Sequence, residues 1–132
     1  MRKITKEEID TVLESHALWL NSNKLAGKRA DLAWVNLTDA DFTGVYLTNA
    51  NLAGADLTGA NLTGANLTWA KLVGANLTGA DLLGAILTSA NLTDAILTYA
   101  ILTYANLTGA NLTGVNLNGV NLNGAIRDEV GK

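Results

Sequence analysis

Ala55-Asp56-Leu57-Thr58-Gly59 is followed directly by Ala60-Asn61-Leu62-Thr63-Gly64 and then by Ala65-Asn66-Leu67-Thr68. Within each unit the order is small apolar, polar, large apolar. That is the alternation of a strand, with Ala and Leu on an inner face and Asn or Asp outside. Thr and Gly follow as a corner, where Gly tolerates dihedrals closed to other residues. A period of five cannot sustain a helical stripe, which needs about 3.6 residues per turn. The chain must therefore wind as a coil of very short strands, with leucine filling the axis.

Outward from this stretch, every fifth residue matches from Ala30 to Gly124 without an insertion. The large column is Leu throughout, except Phe42. The small column is Ala, or Val at Val35, Val45, Val115 and Val120. The result is 19 units of Ala-(Asn/Asp)-Leu-Thr-Gly over 95 residues. The absence of proline fits a backbone whose N–H groups are needed for stacking. Residues 1–29 read as a capping helix and linker, residues 30–124 as the solenoid, and residues 125–132 as a short tail.

Composition excludes several classes. There is no cysteine, hence no disulfide and no thiolate metal site. No stretch approaches the roughly 18 unbroken apolar residues of a membrane span. Met1-Arg2-Lys3-Ile4-Thr5-Lys6 runs straight into charge and lacks the apolar core of a secretory signal, so the expected location is cytoplasmic. The net charge of −3 divides into +2 for residues 1–29, −5 for 30–124 and zero for 125–132. An acidic solenoid argues against direct nucleic-acid binding, which wants a basic stripe. No phosphate loop, paired-acid site or metal cluster is present, so no cofactor and no enzymatic activity are expected.

The tandem Ala-(Asn/Asp)-Leu-Thr-Gly units resemble the pentapeptide-repeat proteins. This resemblance implies a right-handed quadrilateral β-helix with four pentapeptides per coil, whereas the residues alone leave three or four sides open. Nineteen units would then make an all-β solenoid of about 4.75 coils, roughly 23 Å long. The stretch His16-x-x-Trp19-Leu20, then Gly27-x-Arg29-Ala30-Asp31-Leu32, is similar to the leader of many bacterial members.

A solenoid must cover its terminal coils. Thr5 and Glu8 form a capping box that starts a helix over residues 5–21. Ile9, Val12, Leu13, His16, Ala17, Trp19 and Leu20 follow helical spacing on its apolar face, and Asn21-Ser22-Asn23 ends it. His16, the only histidine, is expected to be a packed or rim residue of this cap. The C-terminal end carries no second helix: Arg127 stands where a leucine is due. The last coil is expected either to close with a fold-back of the tail or to stack on a partner. End-to-end stacking into a homodimer is a route that the resemblance implies.

The outward positions depart from consensus in one region. Ile86, Ile96 and Ile101 replace Asn or Asp, Leu83 replaces Thr, and Tyr99 and Tyr104 replace Gly. With four sides, Ile96 and Tyr99 share one face, and Leu83, Ile101 and Tyr104 share the next. Such an apolar belt on a polar surface is a candidate contact with a protein partner, which the sequence does not name. The alternative is that each ring packs on its flanking glycines, Gly79 and Gly119 for Tyr99, Gly84 and Gly124 for Tyr104. Trp34, Tyr46 and Trp69 read as local packing. Two further functions come into view. The resemblance brings in members that mimic DNA and bind gyrase, although only Asp41 and Asp81 share a column here. The Thr columns raise an ice- or surface-binding array.

Overall fold

The five-residue period becomes a stack of coils joined by backbone hydrogen bonds, seen in a computed structural model that describes residues 1–128. Leu62 N–H donates to Asp81 O at 2.7 Å and Gly64 N–H to Leu83 O at 2.9 Å, both one coil onward. Asn61 N–H donates to Ala40 O at 2.9 Å, one coil back. The isolated bridges all join residues 20 apart in parallel, from Asp31 with Asn51 to Asn106 with Ile126. Twenty residues are four pentapeptides, so each turn of the chain has four sides.

Corners close by the same rule. Ala65 N–H donates to Leu62 O at 3.0 Å across a four-residue turn. The third residue of that turn, Gly64, has φ +66°. Glycine enters this left-handed region freely, whereas a side chain there costs about 1–2 kcal/mol.

Leucine and alanine fill the tube. From Leu47 to Ala105 the inward Ala and Leu side chains are 0–1 % exposed, and Phe42 is fully buried in the same column. The outward Asn, Asp and Thr positions are half-buried or exposed.

The two ends are treated differently. At the N-terminal end, β1 (Arg2–Lys3) pairs in parallel with β2 (Val35–Asn36), with Arg2 opposite Val35 and Lys3 opposite Asn36. It adds a strand to one edge of the first coil and drops Ile4, 7 % exposed, into the core. Helix α1 (Lys6–Asn21) follows, with Thr5 as its N-cap. Thr5 Oγ1 accepts the Glu8 N–H at 3.1 Å, and Glu8 Oε1 accepts the Thr5 N–H at 3.2 Å. Ile9, Val12 and Leu13 pack against the core, His16 is buried, and Trp19 and Leu20 are half-buried. Ala17, expected on the apolar face, is instead exposed. It lies about 100° around the helix from His16, and its short side chain does not reach the coil.

At the C-terminal end, the Asp128 carboxylate accepts the Gly109 N–H at 3.1–3.2 Å. Among the described residues the inward face of the last coil is otherwise poorly covered. Leu112, Val115, Val120 and Leu122 are half-buried and Leu117 is 39 % exposed. The rest of the expected tail, residues 129–132, lies outside the described residues.

Candidate interaction belt

In a consensus repeat the outward polar residue serves its own chain. Asp56, Asn66 and Asn76 each accept, through Oδ1, the N–H of Thr58, Thr68 and Thr78 at 3.0 Å. The hydroxyls of the same threonines donate to the same oxygens at 2.6 Å. These short-range bonds fix the bend between strand and corner. They also carry a charge effect. The Thr58 hydroxyl and N–H hold the Asp56 carboxyl below its ordinary range, and Thr43 does the same for Asp41.

The belt gives up these bonds. Ile86, Ile96 and Ile101 occupy the polar column, stacked between Asn66 and Asn106, Asn76 and Asn116, and Asp81 and Asn121 respectively. An isoleucine offers no acceptor, so Thr88, Thr98 and Thr103 lose the partner their counterparts have. Asp81 still accepts the Leu83 N–H at 3.0 Å, but Leu83 has no hydroxyl to add. Tyr99 and Tyr104 then take the corner at φ +62° and +60°. The units Ala95–Tyr99 and Ala100–Tyr104 therefore break two local rules each while keeping the core, since Leu97 and Leu102 remain 1 % exposed.

The six belt side chains all reach solvent. Leu83, Ile86, Ile96 and Ile101 are 38–41 % exposed, and Tyr99 and Tyr104 are 70 % and 69 %. The alternative, in which each ring packs on both flanking glycines, is met on one side only. Each ring lies over the glycine of the following coil only. A methyl group added at Gly119 would run into Tyr99, and one at Gly124 into Tyr104. Nothing lies within 4 Å of such a group at Gly79 or Gly84. The same direction holds for Trp34 over Gly54, Asp39 over Gly59 and Asp94 over Gly114. A left-handed corner turns its side chain toward the C-terminal end, a fact about backbone hand that the repeat pattern does not display. Trp34, Tyr46 and Trp69 are also about two-thirds exposed, at 66 %, 67 % and 64 %, and for Trp34 the expected local packing is seen against Gly54.

Charge around the belt has one sign. Asp81 precedes Ile101 by one coil and Asp94 precedes Ile96 by two residues, while residues 72–126 contain no Lys or Arg. Among the described residues no group of three His, Cys, Asp or Glu converges as a metal site.

The family model for pentapeptide repeats matches residues 28–64, 60–98 and 90–126. The chain belongs to the pentapeptide repeat family. Two solved pentapeptide repeat proteins of cyanobacteria resemble it. HetL, from Nostoc sp. strain PCC 7120 and involved in heterocyst differentiation regulation, is 40 % identical with a TM-score of 0.67. The match covers 70 % of this chain and 44 % of HetL, so the chain spans less than half of that relative. Rfr23 from Cyanothece 51142 is 36 % identical with a TM-score of 0.68, covering 80 % of this chain and 69 % of Rfr23. No curated protein matches the chain. As a pentapeptide repeat protein it is a β-helical solenoid, and none of its described helices is long and apolar enough to cross a membrane.

Proposed function

We infer that this pentapeptide repeat protein is a rigid protein-binding or scaffold module of the cytoplasm, without catalytic activity. Its frame is a right-handed quadrilateral β-helix of about 4.75 coils, closed at the N-terminal end by α1. The contact surface is the belt of Leu83, Ile86, Ile96, Tyr99, Ile101 and Tyr104.

One observation carries this reading. The repeats Ala95–Tyr99 and Ala100–Tyr104 sacrifice the side-chain bonds of the corner and force tyrosine into left-handed backbone, with no gain in the core. Each ring touches one glycine of the next coil but stays about 70 % exposed, and residues that break local rules for so little gain in the fold concentrate at functional sites. The test is a variant with Ile96→Asn, Ile101→Asn, Tyr99→Gly and Tyr104→Gly, compared with wild type in pull-downs from the native cytoplasm. The variant is expected to be at least as stable and to lose the partner. A partner retained by the variant would remove the belt from this role.

A second contact, between two copies, has its own observation. Leu117 and its half-buried neighbours leave an apolar disc at the end of the last coil. A homodimer stacked end to end would bury it. Leu117→Asp should then convert a dimer to a monomer in light scattering, and a wild type that is monomeric at high concentration excludes this contact. The DNA-mimic and ice-binding readings gain no support of this kind. Aspartates do not line up from coil to coil, and in the consensus repeats threonine hydroxyls such as those of Thr58, Thr68 and Thr78 are turned onto Asn or Asp.

A further inference from the structure

The cap helix meets the solenoid through a buried histidine. His16 is 0 % exposed, and its Nδ1 accepts the N–H of Ala30, the first residue of the first repeat, at 2.9 Å. One residue away, Ser15 holds the incoming chain as well. Its Oγ and carbonyl oxygen accept the Lys28 N–H at 2.9 and 3.3 Å. Gly27 makes this approach feasible, because a side chain there would strike the Ser15 carbonyl and the Trp19 backbone. The His16 ring stacks on Trp19, with centroids 5.5 Å apart and planes 22° apart, and Lys24 Nζ stands 5.4 Å from the Trp19 ring.

This geometry specifies the protonation state. A nitrogen that accepts an N–H carries a lone pair, so His16 is neutral with its proton on Nε2. Nε2 is buried and has no hydrogen-bond partner among the described residues, although the nearby Thr48 backbone favours the protonated ring. Protonating the ring would put a hydrogen on Nδ1, facing the Ala30 N–H. Two donors would then meet where one bond existed.

The surroundings offer the imidazolium no counter-charge. From the linker the charged group acting on the ring is Arg29, which opposes a second positive charge. From the first coil it is the uncharged Thr48 backbone. Helix α1 contributes Trp19, and no carboxylate acts on the ring among the described residues. Burial is the largest effect, and it holds the ring pKa below the ordinary 6.5.

We propose that His16 is an acid-sensitive latch, whose protonation detaches α1 from the first coil and uncovers the apolar surface beneath Ile9, Val12 and Leu13. The sign follows from linkage. The detached state binds a proton more tightly than the docked state, so docking is complete above pH 6.5 and weakens as pH falls from there toward the docked pKa. Below the docked pKa the loss is complete and levels off.

The full chain supplies the test, since its single histidine gives unambiguous ring signals in nitrogen NMR. The amide protection factor of Ala30 is followed from pH 7.5 to 4.5 beside that of Leu72, whose N–H is bonded to Asn91 O at 2.7 Å inside the solenoid. Ala30 protection is expected to fall about tenfold per pH unit between 6.5 and the docked pKa, while Leu72 stays constant. His16→Gln keeps an acceptor for Ala30 and removes the titration, so its Ala30 protection should be flat. Constant protection in wild type, or an unchanged pH dependence in the glutamine variant, overturns the latch. Should glutamine not fit the site, wild-type NMR decides: a ring protonated on Nδ1, or titrating at or above 6.5, also overturns it.

Discussion

Two stacked repeats show what the solenoid holds constant and what it leaves free. Ala75-Asn76-Leu77-Thr78-Gly79 lies directly beside Ala95-Ile96-Leu97-Thr98-Tyr99, with Asn76 bridged to Ile96. Their inward residues are equally buried, at 0–1 % exposure. Their corners share the same backbone, φ +66° at Gly79 and +62° at Tyr99. Everything that differs points outward. The coil therefore does not depend on the identity of its outer residues, and its surface can be rewritten while the core stays fixed. What changes is local: a bonded carboxamide becomes an isoleucine, and a permitted glycine becomes a strained tyrosine.

The largest test of this equality is in the core. Leu77→Ala and Leu97→Ala should each destabilise by about 2–5 kcal/mol in urea unfolding, and by similar amounts. A much smaller loss at Leu97 would mean that the belt repeat is not built like its neighbour. Leu117→Ala in the last coil should cost clearly less than either, because that side chain is already 39 % exposed.

Next in size are the glycines. Gly79→Ala and Gly119→Ala both place a side chain in left-handed backbone, at about 1–2 kcal/mol. Gly119→Ala additionally strikes the Tyr99 ring and should cost more. That excess should vanish in a Tyr99→Gly background, which a double-mutant cycle in thermal or urea unfolding measures directly. An excess that persisted would disprove the one-sided packing of the ring.

Restoring consensus in the belt gives a smaller effect of opposite sign. Tyr99→Gly should stabilise by about 1 kcal/mol through relief of the corner. Ile96→Asn should add about 0.5 kcal/mol by returning an acceptor to the Thr98 N–H and hydroxyl. If either substitution destabilises, the belt residues contribute to the fold and the comparison fails.

The smallest effect concerns acid. The Asp56 carboxyl is held below its ordinary 3.8 by Thr58, so its contribution is present above that value and is lost as pH falls through the folded pKa. Asp56→Asn should remove this part of the acid sensitivity and leave unfolding at neutral pH almost unchanged. Asn76, which makes the same bonds without charge, is the internal control.

Much of this frame was legible in the residues. A five-residue period with a fixed Leu column leaves few solutions, and Thr5 with Glu8 announces the start of α1. The pairing of β1 was not legible, because Arg2-Lys3 has neither apolar alternation nor β-branched residues to mark a strand. Its place comes from the open edge of the first coil, which exists only after the coil has formed. The belt residues stood out as departures from consensus, but the reason they are costly lay in hydrogen bonds and in φ. The side on which Tyr99 rests depends on the hand of its corner. His16 could be assigned to the cap by spacing, while its bond to Ala30 depends on how the linker returns through Gly27.

The one-sided lean of the corner residues acts as a spelling rule for the surface. Wherever Trp34, Tyr99 or Tyr104 stands at a corner, the position 20 residues later is Gly54, Gly119 or Gly124. At those three edges of the rod a bulky letter is followed by a blank, whereas on the fourth Trp69 is followed by the small Ser89. Aromatic marks along such an edge are thus spaced no closer than every second coil. The vocabulary available to a partner is sparse there by construction, set by a steric veto that passes from each aromatic corner at these edges to the coil after it.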